Sequence, residues 1–412
     1  MHKSTLWLLF YFVVLSLYAF WSYSLTDPNL VLSSWPPYWN FQQWMWQTFF
    51  SNPQLLTYSY IGLIIAALIG WYKAAQSLPA QTSYKKVLCY ALLLSFPLWF
   101  SYNALSHDVF NYIFNAKMVV VYQEDPHVSV ALNHPDDLWT RFMHNTHTPA
   151  PYGYGWTAFS LFPYMIGMGK FLFTWLVFRG MNVVALCLVF ALLIKLARSL
   201  YIKTTPKDFA LLFFHPLLLI EVISNSHNDL WMLVPALASL LLVLTPQVKK
   251  SGWKVLLSLL LLLLSISTKM ATIVLLPIWL IIVWHGLNTQ LKWLHFLPRQ
   301  LKRWVDVVTM LTIENLGFIA SVLLFFPLFS SRSQLFHPWY LLWAFSWLPL
   351  IRVSWWKTIL LAFSVSSLFR YVPWIFAGGF EGNVLLQQQA VTWLGAVVGL
   401  GLVLSYKRCF RS

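Results

Sequence analysis

Apolar segments of bilayer length alternate with short polar segments along nearly the whole chain. The first covers residues 5–24, the second 55–72 and the third 87–105, and comparable segments recur up to the C-terminus. A helix needs roughly 17–25 apolar residues to cross a bilayer. We therefore predict an all-α polytopic membrane protein with about 12 transmembrane helices, in which residues 1–412 form a single integral membrane domain.

The composition agrees with this pattern. Hydrophobic residues make up 59% of the chain, charged residues make up 9%, and the mean hydropathy is +0.65, which excludes an ordinary soluble domain. The net charge of +15 comes from Lys and Arg that fall mostly between apolar segments, so we assign it to topology and predict no nucleic-acid partner. The three cysteines are scattered and indicate neither a disulfide framework nor a metal cluster: Cys89, Cys187 and Cys409.

The distribution of Lys and Arg orients the predicted helices. Positive residues concentrate on the cytoplasmic side of membrane proteins, and this rule predicts a multi-pass protein of the cytoplasmic membrane with both termini in the cytoplasm. The Trp-rich segment 25–54 then lies at the outer interface. The largest polar connection, residues 106–155, also lies outside, and we predict that it contains short helices and carries the catalytic residue.

Asp108 is the first candidate for chemistry. It lies in the segment S-H-D-V-F-N-Y-I-F-N-A-K, residues 106–117, directly after the apolar run 87–105. An ionisable residue where a membrane helix ends is a functional candidate. Asp is also a favoured helix N-cap, and the residues that follow it have a helical pattern, so both a catalyst and a cap stay open.

Three further polar groups fall on the predicted outer face. One is the corner E-V-I-S-N-S-H-N-D, residues 221–229, and another is Lys269 at the end of an apolar helix. The third is S-S-R-S-Q-L-F-H-P-W-Y, residues 330–340. The alternation of the helices across the membrane places these groups on the same side as the Asp108 loop. We therefore expect one site that is built from distant parts of the chain.

Six short motifs follow one another in the order D-V-F-N-Y, E-D-P-H, P-Y-G-Y-G-W, S-H-N-D, S-T-K-M-A and H-P-W-Y. This ordered set resembles the GT-C glycosyltransferases, integral membrane enzymes that use polyprenyl-phosphate sugars. Within them it is similar to the bacterial branch of polyprenyl-phosphomannose-dependent mannosyltransferases. The resemblance covers residues 106–345, and it departs from the family pattern at Tyr154, where the family has Pro, and at His127, where Tyr is common.

The resemblance implies that a sugar such as mannose passes from a polyprenyl-phosphate donor to a glycan or lipid acceptor on the outer side of the membrane. It implies that Asp108 is the general base and that Tyr152 contacts substrate. Such a transfer needs a base for the acceptor hydroxyl and cations for the departing phosphate. The candidate cations are Lys269, Arg332 and Arg370, although Lys269 could instead extend to the interface. No paired nucleophilic carboxylate is evident, which favours direct displacement with inversion.

The histidine and aromatic candidates have two interpretations each. His227 and Asp229 could bind sugar hydroxyls or orient Asp108, and His337 and Tyr340 could bind the donor or anchor the chain at the interface. No tight ligand spacing such as H-E-x-x-H occurs, so a divalent metal is not indicated and we predict no cofactor.

A transporter or flippase of lipid-linked saccharides is the alternative function. Such a protein needs charged residues along a path through the bilayer, and it commonly has internal repeats. Arg179 and Glu314 are the charged residues that keep this alternative open. The sequence does not identify the sugar, the acceptor or the linkage, because hydroxyl selectivity depends on pocket geometry.

Overall fold

The structure is a computed structural model that describes residues 3–26, 32–244, 252–291, 299–330 and 336–409. It is 79% helical, and no strand occurs among the described residues. The predicted all-α class is therefore confirmed. The α-helices are α1 (Lys3–Ser22), α2 (Pro36–Met45), α3 (Pro53–Gln76), α4 (Tyr84–Trp99), α5 (Asp108–Lys117), α6 (Tyr154–Ile166), α7 (Phe171–Ser199), α8 (Pro206–Phe213), α9 (Pro216–Leu219), α10 (Asp229–Leu244), α11 (Gly252–Thr268), α12 (Leu276–Leu291), α13 (Arg299–Glu314), α14 (Leu316–Phe325), α15 (Leu342–Phe345), α16 (Ser354–Phe369), α17 (Tyr371–Ala377) and α18 (Val384–Cys409).

Several helices have the length and composition of membrane spans, which indicates a membrane protein. Five single candidates occur in the described part of the chain: Lys3–Leu25, Pro53–Gln76, Phe171–Ser199, Ser354–Ala377 and Val384–Ser405. The helices Pro216–Ser224 and Asp229–Leu244 meet at 109°, and they add a sixth candidate if they form one broken span.

The predicted count of about 12 transmembrane helices is not confirmed in the part of the chain that the structure describes. α4 has 16 residues and α11 has 17, which gives helices of about 24–26 Å against a hydrocarbon core of about 30 Å. The helical segment before residue 330 is divided at Asn315 into α13 and α14. Between residues 338 and 350 the chain forms only helices of three or four residues, and Pro338 and Pro349 each lie in the first turn of one of them.

The segment predicted for the outer interface contains α2. A π-helical turn follows α2 and ends at Phe50, and Asn52 then caps α3 by accepting a hydrogen bond from the backbone of Leu55. Trp39 and Trp44 are exposed. Exposed indole rings without neighbouring charges are typical of a membrane interface.

Arg179 lies inside α7 and is completely buried. Its guanidinium donates hydrogen bonds to the backbone oxygens of Trp99, the last residue of α4, and of Ser101, and to the backbone oxygen of Ser224 before α10. It also donates to the side chain of Asn103 at 2.7 Å. A buried cation that donates hydrogen bonds to several of these segments holds them together, so Arg179 has a structural role. Glu314, the other charged residue that kept the transporter alternative open, is exposed.

Candidate active site

Asp108 is the first residue of α5. The N-cap position belongs to His107, whose side chain makes no capping hydrogen bond. Asp108 Oδ2 instead accepts a hydrogen bond of 2.6 Å from the Tyr152 hydroxyl. The carboxylate is 19% exposed. The geometry therefore favours a site residue over a helix cap.

Asp108 faces a cavity of about 830 Å³ with two walls from distant parts of the chain. The first wall comes from residues 104–152 and the second wall from residues 337–388. Asp108 is the sole carboxylate among the described residues that line the cavity, and Arg370 is the sole Lys or Arg among them. The predicted site residues that line it are Asp108, Tyr152, His337, Tyr340 and Arg370.

The surroundings of Asp108 make it a stronger base than an exposed carboxylate. Burial raises the pKa of the Asp108 carboxyl above its ordinary value. The Tyr152 hydrogen bond and the positive charge of Lys269 lower this pKa and offset part of the rise, while the negative charge of Asp229 adds to it. A raised carboxyl pKa brings the base closer to neutral pH, where general-base catalysis is most efficient.

His227 lies directly behind Asp108. Its Nδ1 atom is 3.6 Å from Asp108 Oδ2, and its Nε2 atom is 3.4 Å from Glu221 Oε2. The sharp corner between α9 and α10 positions the ring, since Ser226 adopts a left-handed backbone conformation with φ of 60° just before it. The structure thus places His227 beside Asp108, where it could orient that carboxylate, which is one of the two interpretations of the sequence.

Lys269 and Asp229 form an ion pair beneath the cavity. Lys269 Nζ lies 2.7 Å from Asp229 Oδ1, and the Trp343 indole donates a hydrogen bond to the same oxygen. The ammonium is also 5.3–5.8 Å from the ring centroids of Tyr152, Tyr340 and Trp343. Phosphate contact by Lys269 stays a prediction, and in the structure this cation has a carboxylate of the protein as its partner.

The second wall combines stacked rings with one buried cation. The His227, Trp339 and His337 rings stack in sequence, with centroid distances of 3.7 and 4.3 Å. Burial and the charges of Arg370 and Lys269 lower the pKa of His337 to about 3, so this ring is neutral at physiological pH. Arg370 is 2% exposed and donates to Thr392 Oγ1 at 3.3 Å. Arg332 lies outside the described residues.

Sequence reasoning did not assign Glu221 and Tyr371 to the site. Glu221 is completely buried and accepts a hydrogen bond of 2.8 Å from Tyr371, which lines the cavity. The available signal was an acidic residue inside an apolar segment, which is a functional candidate by default. For metal binding, no group of three His, Cys, Asp or Glu side chains in the described residues could hold an ion.

Comparisons with known proteins connect this site to a family. Comparison with curated proteins and comparison with solved structures each return no match. Residues 28–286, more than half of the chain, match the family model described as alpha-(1->6)-mannopyranosyltransferase, N-terminal domain. The match includes Asp108, Lys269 and the corner between them, whereas the second wall of the cavity lies beyond it. The chain therefore belongs to this mannosyltransferase family.

Proposed function

We propose that the protein transfers a mannosyl residue from a polyprenyl-phosphate donor to a hydroxyl group of a glycan or glycolipid, on the outer side of the cytoplasmic membrane. Membership of a mannosyltransferase family supports the sugar and the reaction class. The observation that carries the mechanism is the cavity in which the single carboxylate of Asp108 faces a wall containing Arg370.

In the proposed reaction, Asp108 takes the proton of the acceptor hydroxyl as its oxygen attacks the anomeric carbon of mannose. The bond between that carbon and the phosphate oxygen breaks, and its electrons leave with the phosphate. A retaining enzyme commonly uses a second carboxylate as the nucleophile, about 5 Å from the first. No second carboxylate lines the cavity among the described residues, which favours direct displacement and inversion at the anomeric carbon.

The leaving phosphate gains negative charge and needs a cation that is already in position. Arg370 is buried in the cavity wall, where its planar guanidinium suits two phosphate oxygens. Lys269 acts on the same side through its positive charge, although Asp229 shares that charge. His337 is a neutral ring at this wall and offers a hydrogen bond without a charge.

The size of the cavity suits this substrate. A volume of about 830 Å³ lies within the 300–1,000 Å³ that is typical of small-molecule sites. It can hold a hexose with its phosphate but not a polyprenyl chain of many isoprene units. The lipid tail would therefore extend into the bilayer, past Trp374 and the exposed ring of Phe380 at the second wall.

The donor is tested with the purified protein in lipid nanodiscs. Polyprenyl-phosphate mannose, polyprenyl-phosphate glucose and GDP-mannose would be offered with a glycolipid acceptor, and mass spectrometry would follow donor and product. We expect the lipid-linked mannose to be consumed and the nucleotide sugar to remain. Transfer from GDP-mannose alone would contradict the proposed donor.

The side of the membrane is tested by cysteine labelling. In a background without the native cysteines, single cysteines at Asp136 and Lys86, both exposed, would be probed in intact cells with a membrane-impermeant maleimide. We expect labelling at position 136 only, because the Lys and Arg distribution predicts opposite sides for these positions. Equal labelling of both positions would contradict the topology.

A further inference from the structure

A buried chain of polar side chains extends from Asp108 away from the cavity. Glu221 is completely buried, and its two carboxylate oxygens accept hydrogen bonds from Tyr371 at 2.8 Å and from Asn225 at 2.9 Å. The His227 ring, also completely buried, lies between this carboxylate and Asp108. The spatial order of these groups is therefore the Asp108 carboxylate, the His227 imidazole and the Glu221 carboxylate.

Within the described residues, the imidazole of His227 makes no hydrogen bond of normal geometry. Neither ring nitrogen has a partner there, although buried polar atoms of proteins nearly always do. Each nitrogen nevertheless faces a carboxylate oxygen, at 3.6 Å on the Asp108 side and at 3.4 Å on the Glu221 side. Catalytic hydrogen bonds are often long in the free enzyme and shorten when substrate binds.

The series of side chains from Asp108 to Tyr371 is shielded from the cavity except at its two ends. Trp339 stacks on the His227 ring at 3.7 Å and is itself part of the cavity wall. Asp108 and Tyr371 line the cavity, whereas His227 and Glu221 do not. A proton on His227 can therefore reach substrate only through Asp108 or by way of Glu221 and Tyr371.

The protonation state of His227 limits how a proton can move along these side chains. Burial lowers the pKa of the imidazole well below its ordinary value, and Lys269 and His337 act in the same direction, so the ring is neutral at physiological pH. A neutral imidazole carries one N–H group, and it can accept a proton at one nitrogen as it releases the proton at the other. The carboxylates on its two sides lie where such an exchange would need them.

We propose that His227 and Glu221 form a proton relay behind Asp108, an inference that rests on the proposed mannosyl transfer. The acceptor proton moves to Asp108 as the glycosidic bond forms. In the same step Asp108 passes it on to Nδ1 of His227, and the proton on Nε2 of His227 moves to the ionised carboxylate of Glu221. Asp108 is ionised again before the product leaves, and the stored proton returns to water by the reverse path. His227 and Glu221 are thus positioning residues that act through Asp108.

The variant Glu221→Gln tests the relay in the full-length protein in nanodiscs, with polyprenyl-phosphate mannose as donor. It keeps the size of the side chain and removes its ability to take up the proton. We expect kcat to fall by about tenfold or more, as part of the proton-transfer contribution of about 100-fold or more is lost. Donor KM should stay within about twofold, and the solvent deuterium isotope effect on kcat should change, because fewer protons move in the rate-limiting step.

The matched control is Glu124→Gln. Glu124 also faces a histidine, His134, at 3.2 Å, but neither residue lines the cavity. This variant should leave kcat and the isotope effect unchanged. His227→Gln provides a second test that does not depend on the folding of the Glu221 variant, and it should show the same loss of kcat and the same change in isotope effect.

The outcomes separate the relay from the proposed function. If wild type uses no lipid-linked mannose, the proposed function fails. If wild type is active and Asp108→Asn is not, but Glu221→Gln and His227→Gln keep normal kcat and isotope effect, the relay alone is refuted. A loss of kcat with an unchanged isotope effect would also refute the relay, since a purely structural role predicts that result.

Discussion

The two walls of the cavity offer opposite chemistry. The first wall, residues 104–152, provides the carboxylate of Asp108 and the hydroxyl of Tyr152, whereas the second wall, residues 337–388, provides the Arg370 cation and stacked rings. One wall is suited to removing a proton from the acceptor, and the other is suited to holding an anionic leaving group. Changes in the first wall should therefore act on turnover, and changes in the second wall should act on donor use.

Removal of Lys269 should have the largest effect, because this residue contacts both walls. Its ammonium faces Tyr152 of the first wall and Tyr340 of the second, and Lys269→Ala would leave Asp229 buried without its cation. We expect a loss of about 3–5 kcal/mol in stability, as is typical for a broken buried ion pair. Thermal unfolding in nanodiscs and donor turnover would measure it.

Lys269→Arg should restore only part of the stability and turnover, because the two cations differ in shape and hydration. Full donor turnover by Lys269→Ala would remove this residue from the site. Lys73→Ala, a change at an exposed lysine far from the cavity, is the matched control and should change neither quantity.

Asp108→Asn tests the first wall. Asn cannot take up the acceptor proton, so we expect kcat to fall at least about 100-fold. Stability should change little, because Asn keeps the size of the side chain and an oxygen that can accept from Tyr152. Donor affinity should survive, since removal of a nearby negative charge does not weaken phosphate binding electrostatically. Normal turnover would leave Asp108 without a catalytic role.

Arg370→Gln tests the second wall. Hydrogen bonds to charged groups contribute about 1.5–3 kcal/mol, so we expect the donor KM to rise by about tenfold or more, with a smaller change in kcat. Arg352→Gln is the matched control, because Arg352 is exposed and its guanidinium donates only a long hydrogen bond, of 3.4 Å, to Tyr201 O. An unchanged donor KM in Arg370→Gln would contradict the division of labour between the walls.

Tyr152→Phe should have the smallest effect, a shift in pH dependence. The Tyr152 hydrogen bond lowers the pKa of Asp108, so its removal raises that pKa. A general base works in its ionised form, and the acid limb of kcat/KM should therefore move to higher pH. Tyr154→Phe removes a hydroxyl that hydrogen-bonds to Asp125 at 2.8 Å and should leave the profile unchanged. A shift in the opposite direction would contradict the assigned base.

The sequence predicted the parts of the fold that depend on long apolar runs. The helices predicted at residues 5–24 and 55–72 correspond to α1 and α3, because uninterrupted apolar residues allow only a helix in a bilayer. Hydropathy does not show where a helix breaks. The break before α9 depends on Pro216, which has no backbone N–H to donate, and the division at Asn315 depends on tertiary packing. The predicted count of spans was therefore not confirmed.

For the site, Asp108 could be identified because a charge at the end of an apolar run is conspicuous. The link from Asp108 through His227 to Glu221 could not be identified. It depends on the 109° bend between Pro216–Ser224 and Asp229–Leu244 and on the left-handed backbone conformation of Ser226. The pairing of Lys269 with Asp229 also needed the structure. Spacing along the chain does not show which of several nearby anions is the partner of a buried cation.

The stereochemistry of transfer tests most directly the central claim that Asp108 is the sole carboxylate acting in a direct displacement. The protein in nanodiscs would be given lipid-linked mannose of one defined anomeric configuration, and NMR would determine the configuration of the new linkage in the first product formed. We expect the opposite configuration, because a single displacement inverts the anomeric carbon. Retention would require a second nucleophile in the cavity and would contradict the proposed mechanism.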